Sequence, residues 1–113
     1  MKAFKIIENA AQMLGFSGVE DSRIQGCALN ALNRIYAELF FLENRENFKE
    51  ITEYSQNVDL EERLCCDVVP YGVASLIAAS SGDSHNSNFY GQLYNLKRKK
   101  HVHTVMEDVI PTV

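Results

Sequence analysis

Residues 64–79 constrain the fold most, because this segment is apolar on nearly every side of a helix. Its apolar members are Cys65, Cys66, Val68, Val69, Tyr71, Val73, Ala74, Leu76, Ile77 and Ala78. A helix that is apolar on all faces needs cover on all faces. In a chain of 113 residues this pattern predicts a central helix, a contact with another subunit, or both. We expect that its full burial requires a second chain.

Pro70 lies inside this apolar segment. Proline removes one backbone donor and its ring crowds the preceding turn, which predicts a kink between Cys66 and Pro70. The alternative is two separate helices that break at Val69, because the residue before a proline avoids the α region. Either form makes this a kinked or broken third helix.

Two helices are predicted ahead of it. Residues 3–14 carry one apolar stripe at steps of three and four, and Gly15 follows where a left-handed residue ends a helix. Residues 22–43 form the clearest amphipathic pattern, with an N-cap offered by Asp21 and Ser22. Residues 43–58 lose the pattern, and we interpret them as a connector.

The last predicted helix covers residues 84–100. Gly82 ends the preceding helix and Asp83 caps this one. One face carries three apolar residues with two tyrosines beside it: Phe89, Leu93 and Leu96, then Tyr90 and Tyr94. We also expect Asp59 to cap the third helix.

Residues 101–113 contain four spaced valines and a proline, which favours an extended C-terminal arm over a fifth helix. The sequence therefore predicts an all-α fold. It comprises a small bundle of about four helices in residues 1–100, with the kinked or broken third helix described above, followed by the extended arm of residues 101–113.

Composition narrows the function classes. The net charge of −4 argues against a general nucleic-acid binder held by bulk charge. No run of roughly 18 uncharged apolar residues is present, so we expect no membrane span. Cys27, Cys65 and Cys66 are an odd set with two adjacent members, which favours buried reduced thiols in a cytosolic protein.

No convincing catalytic or metal site can be named. Cys65 or Cys66 with a histidine could be drawn as a thiol–imidazole pair, but an apolar helix raises the pKa of a thiol. His101 and His103 would share one side of an extended strand, yet no cysteine pair or acidic cluster completes a metal site. We predict a non-enzymatic protein with no cofactor and no metal.

Two features are candidate contact sites. The basic run of Lys97, Arg98, Lys99 and Lys100 either complements the helix dipole or faces phosphates or an acidic protein surface. The acidic residues 43–62 of a neighbouring copy are one such surface. The arm is either a loose tail or a subunit and portal contact through four apolar residues, Val105, Met106, Val109 and Ile110.

Residues 59–100 carry motifs that resemble a known family. The motifs are Asp67-Val68-Val69-Pro70-Tyr71-Gly72-Val73-Ala74-Ser75-Leu76-Ile77-Ala78, Ser81-Gly82-Asp83, Asn88-Phe89-Tyr90 and Leu93-Tyr94-Asn95-Leu96-Lys97-Arg98. This pattern is similar to that of the small head–tail connector (adaptor, or head-completion) proteins of tailed bacteriophages and prophages. The first two helices agree with that family only in length and character.

The resemblance implies a non-catalytic virion structural protein. Such a subunit would join portal and tail as part of a homo-oligomeric ring, with possible non-specific contact to DNA in the channel and none to a membrane. It would be found in the virion, and in the cytoplasm of the bacterial host during assembly. The alternative from another class is a small regulatory or nucleic-acid-binding helical protein that uses the basic end of the last helix.

Overall fold

The computed structural model describes the backbone of residues 1–109 and the side chains of residues 1–101. Residues 1–109 form five helices: α1 (Ala3–Met13), α2 (Ala28–Leu42), α3 (Glu62–Asp67), α4 (Val69–Ser80) and α5 (Ser84–Val109). No strand occurs in residues 1–109, where the only extended pairing is an isolated bridge between Lys2 and Asn57. The predicted all-α fold is confirmed, and α3 with α4 is the predicted third helix.

Helix α1 closely follows its predicted range. Gly15 adopts a φ of 79° just after the helix ends, as predicted for a glycine at this position. The start of α1 is tied to the connector, because the Ala3 N–H donates to the Gln56 carbonyl at 2.8 Å. Ile6 and Ile7 are fully buried, whereas Phe4 is 42% exposed.

Helix α2 is shorter than predicted and begins at Ala28 instead of residue 22. Residues 21–27 form tight turns, in which the Ile24 N–H donates to the Asp21 carbonyl at 3.1 Å. The Asp21 carboxylate also accepts from the Arg23 N–H at 3.0 Å. These local bonds compete with the helix, and Gly26 has low helix propensity, so the regular helix starts after it.

The connector after α2 is irregular, as predicted. The Asn33 side chain holds it by two bonds, since Nδ2 donates to the Ile51 carbonyl at 2.8 Å and Oδ1 accepts from the Ile51 N–H at 2.7 Å. Asp59 does not cap α3, which begins three residues later; its carbonyl accepts from Arg45 at 2.7 Å instead. The predicted cap at Asp59 is therefore wrong.

The third helix is broken, and the break lies at Val68. This residue has φ −115° and ψ −55°, between α3 and α4. Pro70 falls in the first turn of α4, where its missing N–H has no helical partner to lose. The break is thus one residue earlier than Val69, and Val69 itself joins α4.

Helix α4 lies at the centre of the bundle, covered by α1, α2, α3 and α5. Its buried residues are Val69, Pro70, Gly72, Val73, Ala74, Ile77 and Ala78. Each fully buried valine or isoleucine contributes about 1.5–3 kcal/mol. The other helices of one chain cover these seven residues, so their burial needs no second chain. Tyr71 and Leu76 stay half-buried, and the expectation that full burial requires a second chain stays a prediction.

Helix α5 begins at the predicted place, where the Asp83 carboxylate accepts from the Asn86 N–H at 3.1 Å. It then runs through residue 100 to Val109, so the predicted extended arm is wrong over residues 101–109. No glycine or proline interrupts the chain between His101 and Val109. The low helix propensity of valine costs only tenths of a kcal/mol, about 0.7 at most, so an established helix continues.

Candidate interaction surfaces

One face of α5 leaves large apolar side chains in solvent. Phe89 is 51% exposed and Leu96 is 65% exposed, with the half-buried Leu93 between them. The steps of four and three residues place these side chains along one side of the helix. We call Phe89, Leu93 and Leu96 the α5 outer face. Exposed apolar side chains that are scattered singly are normal on a protein surface, whereas these three form a continuous stripe along the helix.

The opposite side of α5 docks on α4 through small residues and tyrosines. The Ser75 hydroxyl in α4 donates to the Ser87 carbonyl at 2.7 Å, and a Cβ on Gly91 would lie 3.0 Å from that hydroxyl. Tyr90 donates to the Met13 carbonyl at 2.8 Å. This close docking fixes the rotation of α5, and that rotation turns Phe89 and Leu96 outward.

Lys97, the first residue of the basic run, is engaged within the chain. Its Nζ lies 2.8 Å from the Asp67 carboxylate and 4.7 Å from the centre of the Tyr71 ring. The hydrogen bond to Asp67 raises the pKa of Lys97. Lys97 therefore fastens α5 to the end of α3.

Arg98 fastens the other edge of α5, because its guanidinium pairs with the Glu38 carboxylate of α2. It also lies 5.4 Å from the centre of the Tyr94 ring. Tyr94 is 6% exposed, and burial raises the pKa of its hydroxyl. One turn further on, His101 Nε2 lies 4.0 Å from a Glu43 carboxylate oxygen.

The structure therefore divides the predicted basic site. Lys97 and Arg98 point to opposite edges of α5 and form ion pairs, while Lys99 and Lys100 are exposed. The four cations do not form one patch. Of the predicted arm, the side chains of Val105, Met106 and Val109 and the whole of Ile110 lie outside the described residues.

A second apolar surface lies at the end of α2, and the sequence pattern did not single it out. Phe41 is 57% exposed and Leu42 is 47% exposed. The Phe41 ring lies 5.7 Å from the ring of Phe48, which belongs to the connector. We call Phe41, Leu42 and Phe48 the α2-end patch. A signal was present in the sequence, because Phe41 is off the buried stripe of α2.

Charge is segregated along the chain. Residues 38–62 contain eight carboxylates, against two basic residues, Arg45 and Lys49. Residues 84–106 contain no carboxylate and four basic residues, those of the Lys97–Lys100 run. The α2-end patch thus lies in the acidic part of the chain and the α5 outer face in the basic part. The net charge of −4 conceals this polarity.

The thiols have three different environments. Cys65 is buried, and burial raises the pKa of its thiol to about 11, which suppresses the nucleophilic thiolate. Cys27 is half-buried, and Cys66 is exposed, contrary to the expectation that all three are buried. Among the side chains of residues 1–101, no group of three or more His, Cys, Asp or Glu residues could hold a metal ion.

The clefts beside α5 are small. The cleft between α3 and α5 has a volume of about 160 Å³ and is lined partly by Leu96 and Lys97. The cleft between α2 and α5 has a volume of about 240 Å³ and is lined partly by Tyr94 and Ser75. Both are below the ~300 Å³ at which pockets begin to enclose drug-sized ligands. Contact with another macromolecule suits these surfaces better than capture of such a ligand.

One segment has the length and composition of a membrane span. It is Glu62–Ser80, with a mean hydropathy of 1.2 over its most apolar window and 56% of that window buried in the fold. The core helix of a soluble protein satisfies the same criteria. This segment is the broken pair α3 and α4.

Comparisons with protein-family models, with curated proteins and with solved structures gave no match to this chain.

Proposed function

We propose that this protein is a head–tail connector (adaptor) subunit of a tailed bacteriophage or prophage. In this role the chain joins the portal to the tail by assembling with further copies of itself, and it catalyses no reaction. Two independent features support the proposal. One is the resemblance of residues 59–100 to that family, and the other is the exposed α5 outer face.

The α5 outer face is the observation that carries the proposal. Phe89 and Leu96 are among the largest apolar side chains in α5, and both are more than half exposed. Full burial of such a side chain is worth about 1.5–3 kcal/mol, so covering the exposed half or more of each gains roughly half of that or more. A subunit that acts only through contacts needs such a surface, whereas a self-sufficient monomer would gain by replacing these residues with polar ones.

Central burial of α4 changes which part of the chain supports assembly. Because a single chain covers most of α4, that helix gives little reason to expect partners. Support moves to the outside of the bundle, where the α5 outer face and the α2-end patch are uncovered. The proposed partners are other copies of this chain and the portal and tail proteins, and the proposed location is the virion, with the bacterial cytoplasm as the site of assembly.

The test is co-assembly with the portal protein of the phage or prophage that encodes this chain. Purified chain and portal are mixed, separated from free subunits by gradient sedimentation and imaged by negative stain. We expect the wild-type chain to add a ring of density to one end of the portal. We expect the F89D/L96D variant to lose this addition, while Q12D, which alters an exposed position on α1, retains it. Wild-type chain that never joins the portal would refute the proposal.

DNA contact is the alternative that the basic run suggested. Lys97 and Arg98 are already paired with Asp67 and Glu38, which lowers their value for binding phosphates. A gel shift with duplex DNA at low and high salt separates the two functions. Strong salt-sensitive binding that K99E abolishes would favour the nucleic-acid protein over the connector.

A further inference from the structure

The α5 outer face and the α2-end patch match one another in chemistry. Each presents two large apolar side chains that are close to half exposed or more: Phe89 and Leu96 on one, Phe41 and Leu42 on the other. Each lies in a part of the chain that carries the opposite charge. A surface on one copy thus has a counterpart on a different face of the next copy.

The charges beside the two surfaces favour the pairing of an α5 outer face with an α2-end patch over the pairing of two like surfaces. On α5 the exposed Lys99 follows Leu96 by one turn, and no carboxylate occurs in residues 84–106. Beside the α2-end patch, the exposed Glu46 and Glu50 bracket Phe48, whose ring contacts Phe41. Pairing two α5 outer faces would bring basic helices together, whereas pairing an α5 outer face with an α2-end patch joins opposite charges.

We propose that the α5 outer face of one copy packs on the α2-end patch of the next copy, in a head-to-tail contact. This inference rests on the proposed connector function and names the surfaces through which neighbouring subunits meet. A head-to-tail contact uses two different surfaces, so every copy keeps one surface free for a further neighbour. Repetition of the contact yields a closed ring or an open chain, and not a two-fold dimer.

The ion pairs that α5 forms within its own chain do not prevent this contact. Lys97 and Arg98 bind Asp67 and Glu38 of their own chain and hold α5 at its edges. The apolar stripe is thereby presented on a fixed helix instead of a loose one. A preorganised surface loses little conformational entropy on binding, which favours association.

Two interface variants test the contact. F89D/L96D blocks the α5 outer face, and F41D/L42D blocks the α2-end patch. Each is measured by sedimentation equilibrium, alone and as an equal mixture, up to about 1 mM, a concentration that detects even weak association. We expect wild-type chain to form species larger than dimers, each variant alone to be monomeric, and the mixture to form dimers only, because one intact pair of surfaces remains.

The alternative outcomes overturn the proposal. Dimers formed by F41D/L42D alone would mean that two α5 outer faces pair with each other. Monomeric wild-type chain at about 1 mM would mean that the two surfaces do not bind. If F41D/L42D unfolds, L42E is used instead, because it leaves the Phe41 ring in place against Phe40 and Phe48.

This test and the portal test fail separately. If the wild-type chain joins the portal but the equal mixture of the two variants forms no dimers, the connector function is retained and the head-to-tail contact is refuted. If the mixture forms dimers but the wild-type chain does not join the portal, the head-to-tail contact is retained and the connector function is refuted. We also expect the mixed dimer to weaken several-fold as NaCl rises from about 50 to about 500 mM, because salt screens the facing charges.

Discussion

Tyr94 in α5 packs against Gly72 in α4 so closely that a Cβ on Gly72 would lie 2.9 Å from the Cδ1 atom of the tyrosine ring. The same Cβ would lie 2.7 Å from the Cδ1 atom of Ile35 in α2. Gly72 is therefore the point at which three helices meet. This contact sets the depth and rotation of α5, and it determines which side of α5 faces solvent.

We predict that Gly72→Ala destabilises the protein by up to about 2 kcal/mol. Overpacking costs about 1–3 kcal/mol and exceeds the roughly 1 kcal/mol that alanine gains over glycine in a helix. Urea unfolding measures the change. Gly26→Ala is the control, because a Cβ there meets nothing within 4 Å, and its stability should equal or exceed that of the wild type. A Gly72→Ala protein as stable as that control would disprove the tight contact.

Arg98 and Glu38 should couple energetically across α5 and α2. We predict that R98E lowers the free energy of unfolding, because two carboxylates then face each other, and that E38R/R98E recovers part of the loss. A double-mutant cycle should give a coupling of about 0.2–1 kcal/mol, the range for partly exposed pairs. K99E is the matched control and should leave the free energy of unfolding unchanged. Zero coupling would show that the pair does not hold α5.

The Asp83 cap should make the stability of α5 depend on pH. The hydrogen bond that the Asp83 carboxylate accepts from the Asn86 N–H lowers the pKa of this carboxyl below its ordinary value. A lowered folded pKa means that the cap stabilises fully above the unfolded pKa of about 3.9 and that its contribution is lost as pH falls through the folded value.

Melting temperatures of wild type and D83A should therefore differ at pH 7 and converge as the pH falls below about 3.9 and through the lowered folded pKa of Asp83. D83N is the control, since asparagine also caps helices and does not titrate. Its melting temperature should lie between those of the other two at pH 7. A D83A deficit that stays constant down to about pH 2 would contradict a charged cap.

The three cysteines should react at different rates with a thiol reagent. We predict that Cys66 reacts fast in the folded protein because it is exposed, and that Cys65 reacts only after unfolding. Burial keeps Cys65 out of reach and holds its pKa at about 11, well above that of a free thiol. Mass spectrometry of the labelled protein identifies the sites, and C66S should remove the fast phase. Fast labelling of Cys65 in native protein would show that α3 opens.

The helices and their breaks were largely predictable from the sequence. Gly15, Gly82 and Asp83 act locally, so their effects on helix ends can be read from the residues alone. The break near Pro70 is local for the same reason. Residues 22–27 were missed because Asp21 was interpreted as a helix cap, whereas its carboxylate accepts from the Arg23 N–H and stabilises a turn that competes with the helix.

The docked side of α5 was beyond the sequence pattern. The spacing placed Phe89, Leu93 and Leu96 on one face of the helix, with the two tyrosines beside it. Judged by apolarity alone, the face with Phe89, Leu93 and Leu96 would be the buried one. The structure buries Tyr94 because Gly72 and Gly91 leave room for close approach to α4. That choice depends on the fit between two helices, which no single-helix pattern contains.

The sequence pattern pointed to α4 alone as the basis for assembly for a related reason. The apolar pattern of α4 gives the amount of cover that it needs but not its source. Only the packing of α1, α2, α3 and α5 reveals that one chain supplies most of the cover. The uncovered surfaces lie elsewhere, on α5 and at the end of α2.

Hydroxyl-radical footprinting of the assembled ring tests the central claim most directly, because it reports side-chain exposure at Phe89 and Leu96. In the free chain both side chains should oxidise readily, while the buried Tyr94 should not. On assembly with the portal we predict strong protection of Phe89 and Leu96, with Phe4 on α1 still accessible and Tyr94 unchanged. Equal oxidation of Phe89 and Leu96 in free and assembled protein would contradict the account.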